Sequence, residues 1–203
     1  MNGLSEALIA RAVDFHGHKC PGLALGLRAA GWVLENLGSA LDEEIVCVTE
    51  TDMCAVDAIQ ALVGCPFGKG NLIYRDYGKV AFTFWRRCDG RAVRLVNVSR
   101  LMTRSESEES RALKALAFSG APMTPEQKAR HEALRAEMIE RILNAPFEEV
   151  YRVEEVSDPV PARARVMASV ICACCGEAVM ESRSRRLGGK DYCIPCFRRL
   201  DDR

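Results

Sequence analysis

Histidine is scarce in this chain, and net charge is absent. Among 203 residues there are three histidines, and 28 basic residues balance 28 acidic ones. A chain with no net charge has no global field that would attract nucleic acid or a membrane surface. No apolar run is long enough to span a bilayer, and residues 1–11 lack the apolar stretch of a signal peptide. We therefore expect a cytoplasmic protein with no membrane partner.

Cysteine, by contrast, is abundant, with ten residues. Without an export signal, such a number favours metal binding or thiol chemistry over a disulfide framework. The length accommodates one sizeable domain and a small additional module. Cys47 and Cys88 lie outside any motif and are interpreted as small buried residues.

Two of the three histidines lie just before a cysteine, in the segment FHGHKCPG (15–22). In an extended segment alternate side chains share a face, so His16, His18 and Cys20 are predicted to point the same way. Pro21 suits the first residue of a helix, which places Cys20 at the positive end of the helix dipole and favours its thiolate. This pattern indicates a metal site or a nucleophile.

A second motif consists of two Cys-x-x-Cys pairs with seventeen residues between them. The four cysteines are Cys172, Cys175, Cys193 and Cys196. Two such pairs supply the four thiolates of a tetrahedral zinc site at the spacing of a zinc ribbon. Gly188 and Gly189 are typical of a turn between two short strands that carry the pairs. We predict a structural zinc, because four sulfurs leave no position for water, and we interpret Cys174 as a bystander.

A third cluster lies in the first half of the chain. Cys54 and Asp57 are three residues apart on a predicted helix and therefore share a face, with Gln60 not far beyond. A glycine-rich loop over 64–71 follows and contains Cys65 and Lys69. Taken alone, this loop is a weak anion-binding signal, because it lacks the full P-loop pattern and does not open a helix.

Periodicity and turn signals predict an α+β fold with mixed helices and a largely antiparallel sheet. Helices are predicted over 4–13, 22–37, 51–63, 105–118 and 125–144. Strands are predicted over 44–50, 72–74, 80–85, 92–98, 147–156 and 163–170. The strands 72–74 and 80–85 are expected to form a hairpin around residues 76–78.

These signals divide the chain into three regions. Residues 1–104 are predicted to form an α+β core domain, 105–165 a connecting region of helices and strands, and 166–203 a zinc-ribbon domain with four cysteine ligands. Pro159 and Pro161 mark the boundary before the last region. A module this short is expected to depend on zinc for folding.

Three motifs in order resemble the FmdE family, which is named after a component of formylmethanofuran dehydrogenase. They are FHGHKCPGLALG (15–26), ETDMCAVDAIQ (50–60) and GCPFGKGNL (64–72). The segment YRDYGK (74–79) is also similar, and the ribbon is typical of the subgroup with a C-terminal zinc finger. The resemblance implies an α+β core and intertwined homodimers. It also implies an active site formed by His16, His18, Cys20, Cys54, Asp57, Cys65 and Lys69.

The enzyme that gives the family its name uses molybdenum or tungsten to interconvert carbon dioxide with a formyl group on methanofuran. This chain has no iron–sulfur cysteine run and no large pterin-binding domain, so it is not the catalytic component. A metal- or thiol-dependent catalytic or accessory unit is one hypothesis, with a second metal site at His18, Cys20 and Cys65. The other is a metal or ligand sensor or adaptor whose basic ribbon docks on protein or nucleic acid, as in transcriptional regulation.

Overall fold

The computed structural model describes residues 4–98 and 107–201 of the chain. These residues fall into two compact units, over 1–163 and 164–203. Within the described ranges, no helix is both long and apolar enough to cross a membrane.

The first unit combines six helices with a five-stranded sheet in its described part. The helices are α1 (Glu6–His16), α2 (Pro21–Asn36), α3 (Ala55–Ala58), α4 (Glu108–Phe118), α5 (Pro125–Asn144) and α6 (Phe147–Val150). The strands are β1 (Ile45–Thr49), β2 (Leu72–Tyr74), β3 (Ala81–Arg86), β4 (Ala92–Asn97) and β5 (Tyr151–Glu155). A π-helical turn (Ile59–Val63) continues α3, and a 3-10 turn spans Phe67–Lys69.

The sheet has the strand order β2-β1-β3-β4-β5, and only the β1–β2 pair is parallel. The predicted α+β class with a largely antiparallel sheet is therefore confirmed. The predicted hairpin between β2 and β3 is wrong, because β1 lies between them, with Cys47 opposite both Leu72 and Phe84. All five residues of β1 are buried, which explains its position inside the sheet.

Helix α2 is the central helix of the first unit. Pro21 is its first residue and Cys20 its N-cap, as the sequence predicts. Ten of its sixteen residues are buried, and it packs against α3 and α5. The same hydrophobic cluster contains Phe82, Phe84 and Leu95 from the sheet, so α2 is surrounded by packed elements.

The region after residue 106 is joined to this core by polar contacts as well as apolar ones. The buried guanidinium of Arg28 in α2 donates to the carbonyl oxygens of Ile142 and Leu143, at 3.2 and 2.6 Å. The hydroxyl of Tyr151 donates to the carbonyl oxygen of Leu25 at 3.1 Å. Because buried polar groups need partners, these bonds fix the end of α5 and the start of β5 against α2.

Two predicted strands in this part of the chain are shorter than expected. Residues Phe147–Val150 form the helical turn α6, and strand β5 begins only at Tyr151. Of the predicted strand 163–170, only residues 169 and 170 are extended in a sheet. The two glutamates in the first turn of α6 suit a helix N-terminus better than a sheet. Residues 105 and 106 of the predicted helix 105–118 lie outside the described residues.

The second unit contains two hairpins and a terminal helix. Its elements are β6 (Ser169–Ile171), β7 (Ala178–Met180), β8 (Ser184–Leu187), β9 (Lys190–Cys193) and α7 (Ile194–Asp201). β6 pairs with β7, and β8 pairs with β9. Gly188 and Gly189 form the turn between β8 and β9 with positive φ angles of 57° and 79°, which glycine adopts readily.

We predict that Gly26→Ala destabilises the first unit. A Cβ at Gly26 would lie 2.2 Å from the carbonyl oxygen of Ala55, and backbone cannot move aside as a flexible side chain can. Overpacking of this kind costs about 1–3 kcal/mol or more. Urea denaturation should show a lower midpoint for this variant. Gly68→Ala is the control, because its added Cβ meets no atom within 4 Å. Equal midpoints for the two variants would contradict the prediction.

Candidate metal centre

A helix–turn–helix arrangement, rather than an extended segment, positions the first motif. His16 is the last residue of α1, and Gly17 caps that helix in the left-handed conformation with φ 91°. The chain then reverses and enters α2 with Cys20 as N-cap. The prediction that His16, His18 and Cys20 share one face of an extended segment is therefore wrong. The turn at Gly17 instead brings His16 Nε2 to 3.6 Å from Cys20 Sγ.

Close packing between α2 and the start of α3 adds a second thiol. A Cβ at Gly22 would lie 3.1 Å from Cys54 Cβ and 3.8 Å from Cys20 Sγ, so only glycine leaves this contact unstrained. As a result, one nitrogen of His16 and the sulfurs of Cys20 and Cys54 all lie within 4.8 Å of one another.

The environment of the two sulfurs differs. The backbone N–H of Leu23 donates to Cys20 Sγ at 3.2 Å, a bond that strengthens when the sulfur is a thiolate. At Cys54, burial and then the charge of the neighbouring Cys20 raise the pKa of the thiol. Two thiols this close repel each other when both ionise, and a bound cation reverses that repulsion.

A chain of hydrogen bonds orients the imidazole. His16 Nδ1 lies 2.7 Å from Asp57 Oδ2, and because a carboxylate only accepts, the ring donates through Nδ1 and directs Nε2 toward Cys20. Gln60 Nε2 donates to Asp57 Oδ1 at 3.2 Å, and Phe67 N donates to Gln60 Oε1 at 3.1 Å. Sequence analysis left Gln60 out of the site, although its spacing of three from Asp57 places both on one helix face.

The three donors fit a transition metal. Imidazole nitrogen and thiolate sulfur are the ligands that zinc prefers, and ligand sulfurs in a tetrahedral zinc site lie about 3.8 Å apart. Cys20 is buried, whereas His16 and Cys54 are partly accessible. A carboxylate on the second ring nitrogen of a ligand histidine is the usual arrangement in metal sites. Three protein donors leave a fourth position for water or another ligand.

His18 and Lys69 are not part of this group of three. His18 is exposed, and its ring centroid lies 4.6 Å from that of His16. It therefore lies beside His16 without joining the group of three candidate donors. Lys69 ends the 3-10 turn within the glycine-rich loop, where its charge acts on Cys65.

Cys65 is also placed differently from the prediction. Its side chain is fully buried, and its sulfur lies 3.5 Å from both the carbonyl oxygen of Ile45 and the amide nitrogen of Asn71. Burial raises the pKa of this thiol to about 12, against the opposing charge of Lys69. Gly64, with φ 84°, turns the chain into the core at this point, and Cys65 follows it beneath β1. The structure thus brings His16, Cys20 and Cys54 together as one group of candidate donors, whereas the ligand set of His18, Cys20 and Cys65 stays a prediction.

The four cysteines of the second unit converge as their spacing predicts. Their four sulfurs all lie within 4.8 Å of one another, from Cys172, Cys175, Cys193 and Cys196. The first pair lies in the turn between β6 and β7, and the second spans the end of β9 and the start of α7. Four converging sulfurs form a closed tetrahedral site for a structural zinc.

Neighbouring donors stabilise two of these sulfurs, those of Cys172 and Cys196, as thiolates. Backbone N–H groups, that of Cys175 foremost, lower the pKa of Cys172 to about 6. The guanidinium of Arg199 donates to Cys196 Sγ at 2.9 Å. Cys174 is exposed and is not one of the four, in keeping with its interpretation as a bystander.

Comparison with known families finds a separate match for each of the two parts of the chain. The model of the FmdE family, described as "Molybdenum formylmethanofuran dehydrogenase operon", matches residues 15–152. The chain belongs to the FmdE family. A second model, the prokaryotic dksA/traR C4-type zinc finger, matches residues 168–201 and therefore includes all four cysteines of the ribbon. This FmdE protein thus carries a C4-type zinc finger after its family domain.

Two known proteins are similar to most of this chain. A "Probable S-adenosyl-L-methionine-binding protein" of Archaeoglobus fulgidus is 31% identical over 198 residues, which cover 92% of this chain and 54% of the relative. The chain therefore spans about half the length of that protein. The crystal structure of a "tungsten formylmethanofuran dehydrogenase subunit e (fmde)-like protein" from Syntrophus aciditrophicus is similar, with a TM-score of 0.61. At 22% identity, with 95% of this chain and 91% of that chain covered, it shows the shared fold.

We predict that Cys193→Ser removes one zinc per chain and unfolds the ribbon, because zinc binding supplies the folding energy of so small a module. Elemental analysis of the purified full chain measures the zinc content, and proteolysis reports the loss of ribbon structure. Cys174→Ser is the matched control, since it removes an exposed cysteine outside the four and should keep the metal. Equal zinc content in the two variants would be evidence against the assignment.

Proposed function

We propose that the FmdE-like domain holds a second metal ion at His16, Cys20 and Cys54, in a site with an open coordination position. The observation that carries this proposal is the convergence of one imidazole and two thiols, with Asp57 on the far side of the imidazole. Structural zinc sites are closed by four protein ligands, whereas catalytic sites keep three and an exchangeable position. The arrangement therefore suits a metal-dependent catalytic or accessory unit.

In this proposal each residue has a defined task. Asp57 accepts the Nδ1 proton of His16, so that Nε2 faces the thiols with its lone pair free. The N–H of Leu23 stabilises the charge on Cys20, and Gln60 holds Asp57 in place. When bound, the ion would polarise a carbonyl oxygen or acidify a water molecule at the open position.

The partial exposure of the site allows a small substrate or a partner protein to reach it. Asp57 keeps about a third of its side-chain surface accessible, with 32% exposed, and is able to exchange protons with solvent or substrate. A role beside molybdenum or tungsten formylmethanofuran dehydrogenase is the most direct activity for such a unit, given the family. We assign the chain an accessory or metal-dependent catalytic part in that chemistry.

We predict that Cys54→Ser lowers the metal content of the full chain by one ion, while the ribbon zinc remains. Asp57→Asn should keep the ion but weaken its affinity about 10–100-fold, as the loss of an orienting carboxylate does at other sites. Metal content by elemental analysis and affinity by competition with a chelator measure the two effects.

Three variants serve as controls for that experiment. His18→Ala and Cys65→Ala remove residues outside the group of three. Cys88→Ser removes a cysteine that is exposed, so its interpretation as a buried residue is wrong. All three should retain both metal ions, although Cys65→Ala is expected to lower stability because it leaves a cavity in the core. Loss of the second ion in His18→Ala but not in Cys54→Ser would refute the proposed ligand set.

A second candidate function is that of a sensor or adaptor that acts through the ribbon. Six basic residues of the ribbon are exposed: Arg183, Arg185, Arg186, Lys190, Arg198 and Arg199. Such a surface suits an acidic protein or nucleic acid, although acidic residues on the same unit weaken the field. Wild-type metal content in Cys54→Ser would favour this candidate over the metal-dependent one.

We further propose that the chain forms a homodimer through the α4–α5 pair. The support is the family together with Phe118 at the end of α4, whose side chain is 83% exposed. Light scattering at micromolar concentration should give twice the chain mass of 22.4 kDa. Phe118→Glu should reduce the dimer fraction, whereas Ala117→Glu adds the same charge without removing a ring and should have less effect. A monomeric mass for the unmodified chain would exclude this assembly.

A further inference from the structure

A groove between three helices lies beside the candidate metal centre. It has a volume of about 440 Å³ and runs between α1 and α5 over α2. Its walls are mostly aliphatic, from Ile9, Val13, Leu23, Leu27, Ile139 and Leu143. Its size is that of a small-molecule site, which commonly encloses about 300–1,000 Å³. Cys20 belongs both to this groove and to the group of three metal donors.

Charged residues are distributed unevenly around the groove. Three carboxylates, of Glu6, Asp14 and Glu140, face a single ammonium group, that of Lys19. Among the described residues, none of the three carboxylates forms an ion pair, although Glu140 also accepts from the amide of Asn144 at 3.1 Å. This surplus of negative charge disfavours polyanionic ligands such as nucleotides and favours a cationic group.

The side chains that line the groove restrict the class of ligand further. No aromatic ring lies among the described residues that line the groove, so planar bases have no stacking partner there. We propose that the groove binds the aliphatic portion of a small cationic amphiphile and that one end of this ligand lies at Cys20. The role of the groove as a substrate site depends on the proposed metal function, whereas the binding of the amphiphile does not.

The proposal is tested with alkylamines as probes, below their micellar concentrations, by isothermal calorimetry on the full chain. Affinity should rise about two- to fourfold for each methylene from hexylamine to decylamine, because each methylene enters an apolar wall. Decylamine should bind with a stoichiometry of one, and at least threefold more tightly than decanoate. Affinity that does not depend on chain length, or uptake of many molecules per chain, would overturn the proposal.

A matched pair of variants tests the location. Ala10 lines the groove and is exposed, so Ala10→Trp should fill the groove and reduce decylamine affinity at least tenfold. Ala7→Trp places the same ring on the same helix outside the lining residues and should bind as the unmodified chain does. Circular dichroism and unfolding midpoints establish that both variants fold. Wild-type affinity in Ala10→Trp contradicts the proposal.

Two further variants separate the competing explanations. Asp14→Lys combined with Glu140→Lys changes only exposed side chains and should reverse the preference from decylamine to decanoate. Cys54 lies outside the groove, so Cys54→Ser should keep decylamine binding even when the metal is lost. The experiment therefore distinguishes failure of the metal proposal from failure of the groove proposal. A change in molecular mass of Ala10→Trp by light scattering would show that a second copy of the chain covers the groove, and would overturn the proposal.

Discussion

The close packing of α2 against the start of α3 is the contact on which the rest of the first unit depends. At Gly26 the backbone of α2 lies against the carbonyl oxygen of Ala55, at a distance that a side chain would prevent. Gly22 is four residues earlier on the same helix face and lies against Cys54. Because these two glycines lie in line, the N-terminus of α2, with Cys20 as its cap, meets Cys54 at the group of three candidate donors.

The zinc site of the ribbon and the site proposed for the first unit differ in design, and the difference follows from the size of the units that hold them. The ribbon has few buried side chains, so four thiolates and a zinc ion take the place of a hydrophobic core. The first unit has an extensive hydrophobic core around α2 and the sheet. In the metal site proposed for this unit, three protein donors would leave a coordination position free.

The cysteines of the first unit lie in two different kinds of surroundings, which suit two different roles. Cys20 and Cys54 lie at helix starts, next to a histidine that a carboxylate orients. Cys65 lies in the core, where burial raises the pKa of its thiol and only neutral partners contact its sulfur. A thiol in such surroundings is inert, whereas one near an imidazole and a backbone N–H is prepared for a cation. Cys20 also lines the groove between α1, α2 and α5.

Local patterns in the sequence were sufficient for the parts of the protein that depend on short-range geometry. The spacing of Cys172, Cys175, Cys193 and Cys196 predicted the ribbon, because each Cys-x-x-Cys segment sets the positions of its own two sulfurs. The proline after Cys20 predicted the helix start, because its ring sets the backbone angle.

Tertiary structure decided the rest. Periodicity could not show that β1 separates β2 from β3, since strand order depends on the packing of distant segments. Nor could it show that α1 continues to His16, or that Cys54 rather than Cys65 joins Cys20. That choice is made by the contact of α2 with α3 across some thirty residues of sequence, where two glycines allow the backbones to touch.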